Sequence, residues 1–254
     1  MGPCMILASM QTQDIRIRKG ERRTEPILLT ITKDTTIETI LEDGTEATCI
    51  VLEVASPDAK VAVTHRCRIG AHARLHIINV TLGGAHVSHE LVSKIMGEGS
   101  ESSIDWIFYA KDAERQRLSA RNIFDAREGS GEITVHGVAE GKSHAAFEGK
   151  IEITEKGGGT NTYLTEKTLM LDPTAKVDAI PALEIRTNDV KASHSATVTR
   201  VSPEDLFYAS SRGIPEVAAR FMIIEGFLAT LLEKLPKKNQ ERIFASIQEK
   251  HGNY

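Results

Sequence analysis

The sequence predicts a mainly β fold that ends in a helical region, and three observations carry that reading. From Ile15 to Val201 the chain is a series of short β-branched runs, among them ILLTIT, TCIVLEV, KVAVTHRCRI, RLHIINVTL, GEITVHGVA, KIEITEK and SATVTRV, separated by Gly, Asp, Asn and Ser. Their spacing, roughly one strand per ten residues, suits a sandwich, a barrel or a stacked β-helix. No long amphipathic helix interrupts the runs, which argues against a doubly wound α/β fold. After Ser202 the pattern turns helical, which divides the chain into a β region over 1–201 and a helical region over 202–254. Two Ala-Lys-Val steps, Ala59 to Val61 and Ala175 to Val177, each open a strand and hint at stacked coils with tight corners. Such a stack leaves unpaired backbone groups on its terminal coils, which predicts capping or pairing with another subunit.

The 254 residues carry a formal charge of −4, with 41% hydrophobic and 26% charged residues, enough to bury one sizeable core. The basic runs KGERR (19–23) and KLPKK (234–238) are short, so a broad cationic field for nucleic acid is not expected. The opening MGPCMILASM lacks a basic n-region and a long apolar span, so no membrane or leader segment is expected and the chain reads as cytoplasmic. Cys4, Cys49 and Cys67 are odd in number and widely spaced, as reduced thiols are.

Alternation in KVAVTHRCRI directs His65 and Cys67 to one face with Val61, Val63 and Ile69, whereas His72 and His76 share a row with Arg74 and are expected to face water. Those four do not converge, and their spacing matches no common zinc signature. His86 and His89 in GGAHVSHE form an equally weak pair. Trp106 and Phe108 in SSIDWIFYAKD read as packing on a half-buried strand. GEGSESS (97–103) and EKGGGTN (155–161) read as corners, and Gly157 to Gly159 lead into a strand rather than a helix, so no phosphate loop is expected there.

Alternation also places Val190, Ala192, His194, Ala196 and Val198 on one face. His194 is then either a core histidine with satisfied ring nitrogens or a neutral imidazole in a dry interior, which is a soft-metal ligand. Glu166, between Leu164 and Met170, is expected at an edge in contact with solvent; pointing inward, it would favour its neutral form. Glu166 and His194 could meet on neighbouring coils.

Ser202 as N-cap, Pro203 at the first position and the acidic Glu204 and Asp205 open a short helix that Gly213 ends. Pro215 begins a second, with Val217, Phe221, Ile224, Leu228, Leu231 and Leu235 in one stripe, and Pro236 redirects the chain into a third over about 237–250 with Ile243 and Ile247 inward.

The segments AAFEGKIEI (145–153), LTEKTLML (164–171), PALEIRTNDVKASHSAT (181–197), LFYASSRGI (206–214) and EGF (225–227) resemble, in order and spacing, the SufB/SufD family of iron–sulfur cluster assembly proteins. The resemblance implies a right-handed parallel β-helix, a C-terminal helical region docking on SufC, an ABC-type ATPase, and pairing of two core subunits, alike or different. It also implies that an iron–sulfur cluster passes through transiently, with His194 and Glu166 as candidate ligands and Leu206, Phe207, Arg212, Phe221 and Phe227 as candidate partner contacts. This sequence departs from the family pattern: Glu166 stands where SufB-type members carry a cysteine, Ala192 where SufD-type members do, and Ser195 replaces the acidic residue after the histidine. No thiolate stands at the expected site.

The resulting expectation is a scaffold or accessory subunit that is not itself an enzyme. The alternatives are a β-helical enzyme acting on polysaccharide, with carboxylates drawn from Asp105, Asp172, Asp178, Glu184 and Asp189, and a divergent homologue that only holds a complex together.

Overall fold

The structure, a computed structural model, describes residues 10–252. Cys4 and the rest of the opening segment read above lie outside the described residues. Six strands run through the first part: β1 (Gln11–Ile17), β2 (Ile27–Ile31), β3 (Thr35–Leu41), β4 (Glu46–Glu53), β5 (Lys60–Ile69) and β6 (Arg74–Thr81). Eight follow: β7 (His86–Ile95), β8 (Glu101–Ala110), β9 (Arg115–Phe124), β10 (Ser130–Ala139), β11 (His144–Ile153), β12 (Thr160–Met170), β13 (Lys176–Ile185) and β14 (Val190–Arg200). Odd-numbered strands form one seven-stranded sheet and even-numbered strands another, every named pairing parallel and in sequence order. This is a β-solenoid. One coil is one strand of each sheet plus two corners, and the register repeats about every 29 residues. Strands are therefore spaced more widely than ten residues, because most are themselves ten long.

The corners stack as regularly as the strands. Gly44, His72, Gly99, Glu128 and Gly159 all adopt positive φ, one per coil. The amides of Gly44, His72, Gly99 and Glu128 each donate to a carbonyl of the coil above, at 2.8 to 3.0 Å. The left-handed conformation is tight enough to reverse the chain while leaving the amide free for that bond. Both glycine-rich runs fall at these corners.

The two sheets bury different amounts of themselves. Strands of the odd sheet alternate, as β5 and β7 do, with one face inward and the other in water. In β4, β6, β8 and β10 the last five residues are buried on both faces. The reason is the helical region: α1 (Pro203–Ser211), α2 (Glu216–Leu232) and α3 (Lys237–His251) follow β14, and α2 and α3 lie on the outer face of the even sheet. Phe221, Ile224, Leu228, Leu231, Ile243 and Ile247 pack there on Ile50, Ile78, Ile107, Tyr109 and Val138. At the edge of this contact, Lys250 Nζ donates to Glu114 at 2.6 Å, and His136 Nδ1 donates to the carbonyl of Phe227 at 2.9 Å. The apolar stripe of α2 is thus fully used, except that Val217 is exposed.

Gly137 faces the interior beside Phe108, with which it is in register. An added Cβ would lie 1.9 Å from the Phe108 ring. Gly137→Ala is expected to destabilise the fold by about 1–3 kcal/mol through overpacking, read as a lowered thermal midpoint.

Candidate functional site

Two polar regions bear on the candidate residues. The first lies mid-solenoid, where Trp106 Nε1 donates to Thr81 Oγ1 at 3.1 Å and Thr81 Oγ1 donates to Glu53 Oε2 at 3.0 Å. His89 Nδ1 donates to the other Glu53 oxygen, and the His89 ring meets the Trp106 ring edge-on at 4.7 Å between centroids. His65 Nε2 lies 3.0 Å from Thr39 Oγ1 and 3.2 Å from Cys67 Sγ, so His65 and Cys67 do point together into the interior. Burial, reinforced by the proximity of His89, lowers the His65 pKa to about 3, which keeps it neutral. Burial pushes the Cys67 thiol well up and the Cys49 thiol up to about 12, so both are protonated and poor nucleophiles. His72 sits at a corner and His86 on the surface, while His76 Nε2 donates to Asp105 at 2.6 Å. Burial raises the Asp105 carboxyl, but hydrogen bonds from His76 and Lys234 outweigh that and hold it below its ordinary value. Among the described residues no three His, Cys, Asp or Glu side chains converge as a metal site would require.

The second region lies at the C-terminal end, where β13 and β14 are the last strands of their sheets. No coil covers them. His194 is consequently exposed, contrary to both interior readings of its alternating pattern. The pattern did assign it to the inward face, but the inward face of a terminal coil is an open end. Glu166 departs from expectation in the opposite sense: it is 1% exposed, because β14 covers β12. Neither of its oxygens has a hydrogen-bond partner, and the hydroxyls of Thr162 and Thr168 on the same interior row are also unpartnered. Burial pushes the Glu166 carboxyl up to about 8.

Register sets the distance between the two candidates. Leu164 lies beside His194 and Glu166 beside Ala196, so Glu166 and His194 share a face diagonally, with Cα atoms roughly 8 Å apart from strand geometry. Ile180, Ile185 and Val198 add exposed apolar surface on these two end strands. The donor set here is one imidazole, one buried carboxyl and hydroxyls. Thiolates, which iron–sulfur clusters prefer, are remote: Cys49 stands in the same interior row as His194 but five strands away, roughly 24 Å. This end alone does not supply the ligands of a resident cluster.

Of the candidate partner contacts, Phe207 is 75% exposed on α1, a helix with no buried residue, and Leu206 is half-buried beside it. Arg212 caps that helix with its guanidinium over the Tyr208 ring at 5.2 Å. Phe221 is buried against Phe244 and His251, and Phe227 packs on His136. Sequence reading omitted Tyr208, which is 62% exposed. The capped, amphipathically weak FYASS segment was the signal for it.

The architecture is that of the two-sheet parallel β-solenoid class, with an uncovered polar end and a helical layer on one face. The chain belongs to the SufBD family: residues 29–227 match the model for the SUF system FeS cluster assembly SufBD core domain. It is 28% identical over 223 residues to iron-sulfur cluster assembly SufBD family proteins of Mycobacterium tuberculosis and Mycobacterium leprae, covering 84% of this chain and 56% of each relative. A second SufBD family protein of Mycobacterium tuberculosis is 28% identical over 174 residues, 68% of this chain and 21% of the relative. The chain thus spans about half the length of the first of these relatives and a fifth of the other. No helix among the described residues is long and apolar enough to cross a membrane.

Proposed function

We propose that this chain is a non-catalytic scaffold subunit for iron–sulfur cluster assembly, paired through its open C-terminal end with a second SufBD-type chain and worked by a SufC-like ABC ATPase bound at α1. The family match across 29–227 is the observation that carries the proposal. Several features support its details. The outer edges of β13 and β14 present unpaired backbone groups beside exposed Ile180, Ile185 and Val198, which a second solenoid end would cover. Phe207, Tyr208 and Arg212 form an exposed apolar and cationic face on a helix that contributes nothing to the core, as a docking element requires.

In this reading the cluster is cargo. His194 stands at the seam, Glu166 lies one strand beneath it, and thiolates come from the partner subunit. A proton held by Glu166 near neutral pH leaves when the carboxylate meets a cationic metal, so the group switches from neutral filler to ligand. Hydrolysis in the ATPase, transmitted through α1, opens and closes the seam. The carbohydrate-enzyme reading gains no support, since each of its five carboxylates is already engaged: Asp105 by Lys234, Asp172 by Arg220, Glu184 by Lys150 and Asp189 by Arg127 as ion pairs, and Asp178 by a hydrogen bond from His144.

Co-expression with a SufC-like ATPase tests the proposal. The pair should co-purify, and Phe207→Ala combined with Arg212→Ala should weaken the complex by about a hundredfold, the effect of losing two anchor side chains. Anaerobic loading with iron and sulfide should give the isolated chain far less than stoichiometric iron. A cluster on the isolated chain that His194→Ala abolishes would refute the partner-supplied thiolates, and an ATPase that ignores the chain would refute the scaffold reading.

A further inference from the structure

The outer face of the odd sheet carries a row of basic residues that the sequence does not reveal, because its members are about one coil apart. Lys60, His86, Arg115, His144 and Lys176 occupy the first positions of β5, β7, β9, β11 and β13 and are successive register partners. Adjacent members stand one strand spacing apart, so the row extends roughly 19 Å along the solenoid. The fixed cations Lys60, Arg115 and Lys176 alternate with the imidazoles of His86 and His144, so each stands two strand spacings from the next, with no carboxylate interleaved in the row.

Interleaved ion pairs occur elsewhere on this face. Arg66 pairs with Glu38, Lys94 with Asp125, Arg121 with Glu152 and Lys150 with Glu184, each across neighbouring coils. In the first row only His144 has such a partner, Asp178 at 2.7 Å. Lys60, Arg115 and the neighbouring Arg117 have no carboxylate within ion-pair distance among the described residues. The next outward row is Ala62, Ser88, Arg117, Ala146 and Asp178, three of them small, and leaves a groove of about 570 Å³ alongside the first row. That volume is of the size that takes a small organic ligand. Two carboxylates border the groove: Asp178 is engaged by His144, and Asp34 accepts from the Ala62 amide at 2.9 Å.

We propose that this groove binds a small ligand bearing two or more linked phosphates, seated on Lys60, His86, Arg115 and Arg117. Two guanidiniums with free donor forks suit phosphate oxygens, and the imidazole of His86 between Lys60 and Arg115 adds a further ring N–H donor along the line a linear anion would follow. The chain as a whole is acidic at −4, so a local excess of unpaired cations marks this groove off from the general surface. The site lies on the opposite sheet from the helical layer and does not depend on the scaffold reading.

Titration calorimetry of the full chain with inorganic tripolyphosphate tests it. One molecule should bind per chain and inorganic monophosphate far more weakly. Arg115→Gln and Arg117→Gln should each reduce tripolyphosphate affinity by about tenfold, as loss of a charged hydrogen bond does. Arg66→Gln, which removes a paired cation from the same sheet, should leave it unchanged. Absence of binding, or equal losses with Arg66→Gln and Arg115→Gln, would overturn the proposal, the latter by showing a diffuse charge effect. Unchanged thermal midpoints in the variants keep a loss of affinity distinct from a loss of fold.

Discussion

His89→Ala is expected to destabilise the chain by about 3–5 kcal/mol, the range found when one member of a buried charged or hydrogen-bonded pair is removed. His89 and Glu53 are both essentially inaccessible to solvent, and the imidazole supplies one of two side-chain donors to the carboxylate. Its loss leaves Glu53 with Thr81 as its one remaining side-chain donor among the described residues. The hole also removes the ring packed on Trp106, adding lost contact to lost polarity. Urea unfolding followed by tryptophan fluorescence reads the effect directly, since Trp106 is the chain's single tryptophan. Glu53→Gln in the His89→Ala background should recover part of the loss, because a neutral amide is less costly to bury than a carboxylate. A loss under about 1 kcal/mol would mean that the network adds little beyond shape.

Glu166→Gln is expected to change the pH dependence of stability more than stability at any one pH. The Glu166 carboxyl titrates near 8 in the fold and near the ordinary carboxylate value, about 4.3, in the unfolded chain. Between those values the folded chain retains a proton that the unfolded chain has lost. Stability from this group is therefore complete below about pH 4, declines as pH rises through the window, and levels off above about pH 8. The glutamine variant has no such decline. Its advantage over the parent should grow from about 1 kcal/mol at about pH 5 to on the order of 4–5 kcal/mol at about pH 8, measured as the difference in unfolding free energy. Taking the difference between two chains that share every other titrating group isolates this one. Parallel pH profiles for the two would place Glu166 in contact with solvent.

Both predictions come from interior residues whose chemical type was plain in the sequence and whose surroundings were not. The strands, the capped α1, the proline-bounded α2 and α3, and the inward pairing of His65 with Cys67 were legible, because each depends on residues within about ten positions of one another. Even the layer of helices on the even sheet left a trace: CIVL and WIFYA are unbroken apolar runs, and HIINV is nearly one apart from His76 and Asn79, whereas the strands between them alternate. A strand covered on both faces has that composition. Read without the fold, the runs show only that something covers them, not that α2 and α3 do.

The sequence by itself determined which segments are strand, which are helix, which family the chain resembles and which residue types occupy the family's key positions. Tertiary structure alone decided that His194 faces an open end, that Glu166 is sealed beneath β14, and that Lys60, His86 and Arg115 stand side by side. The physical reason is the coil repeat. In a parallel solenoid a residue's nearest neighbours lie about 29 positions away, so burial and local charge follow from which coil stacks on which, and only local periodicity can be read along the chain.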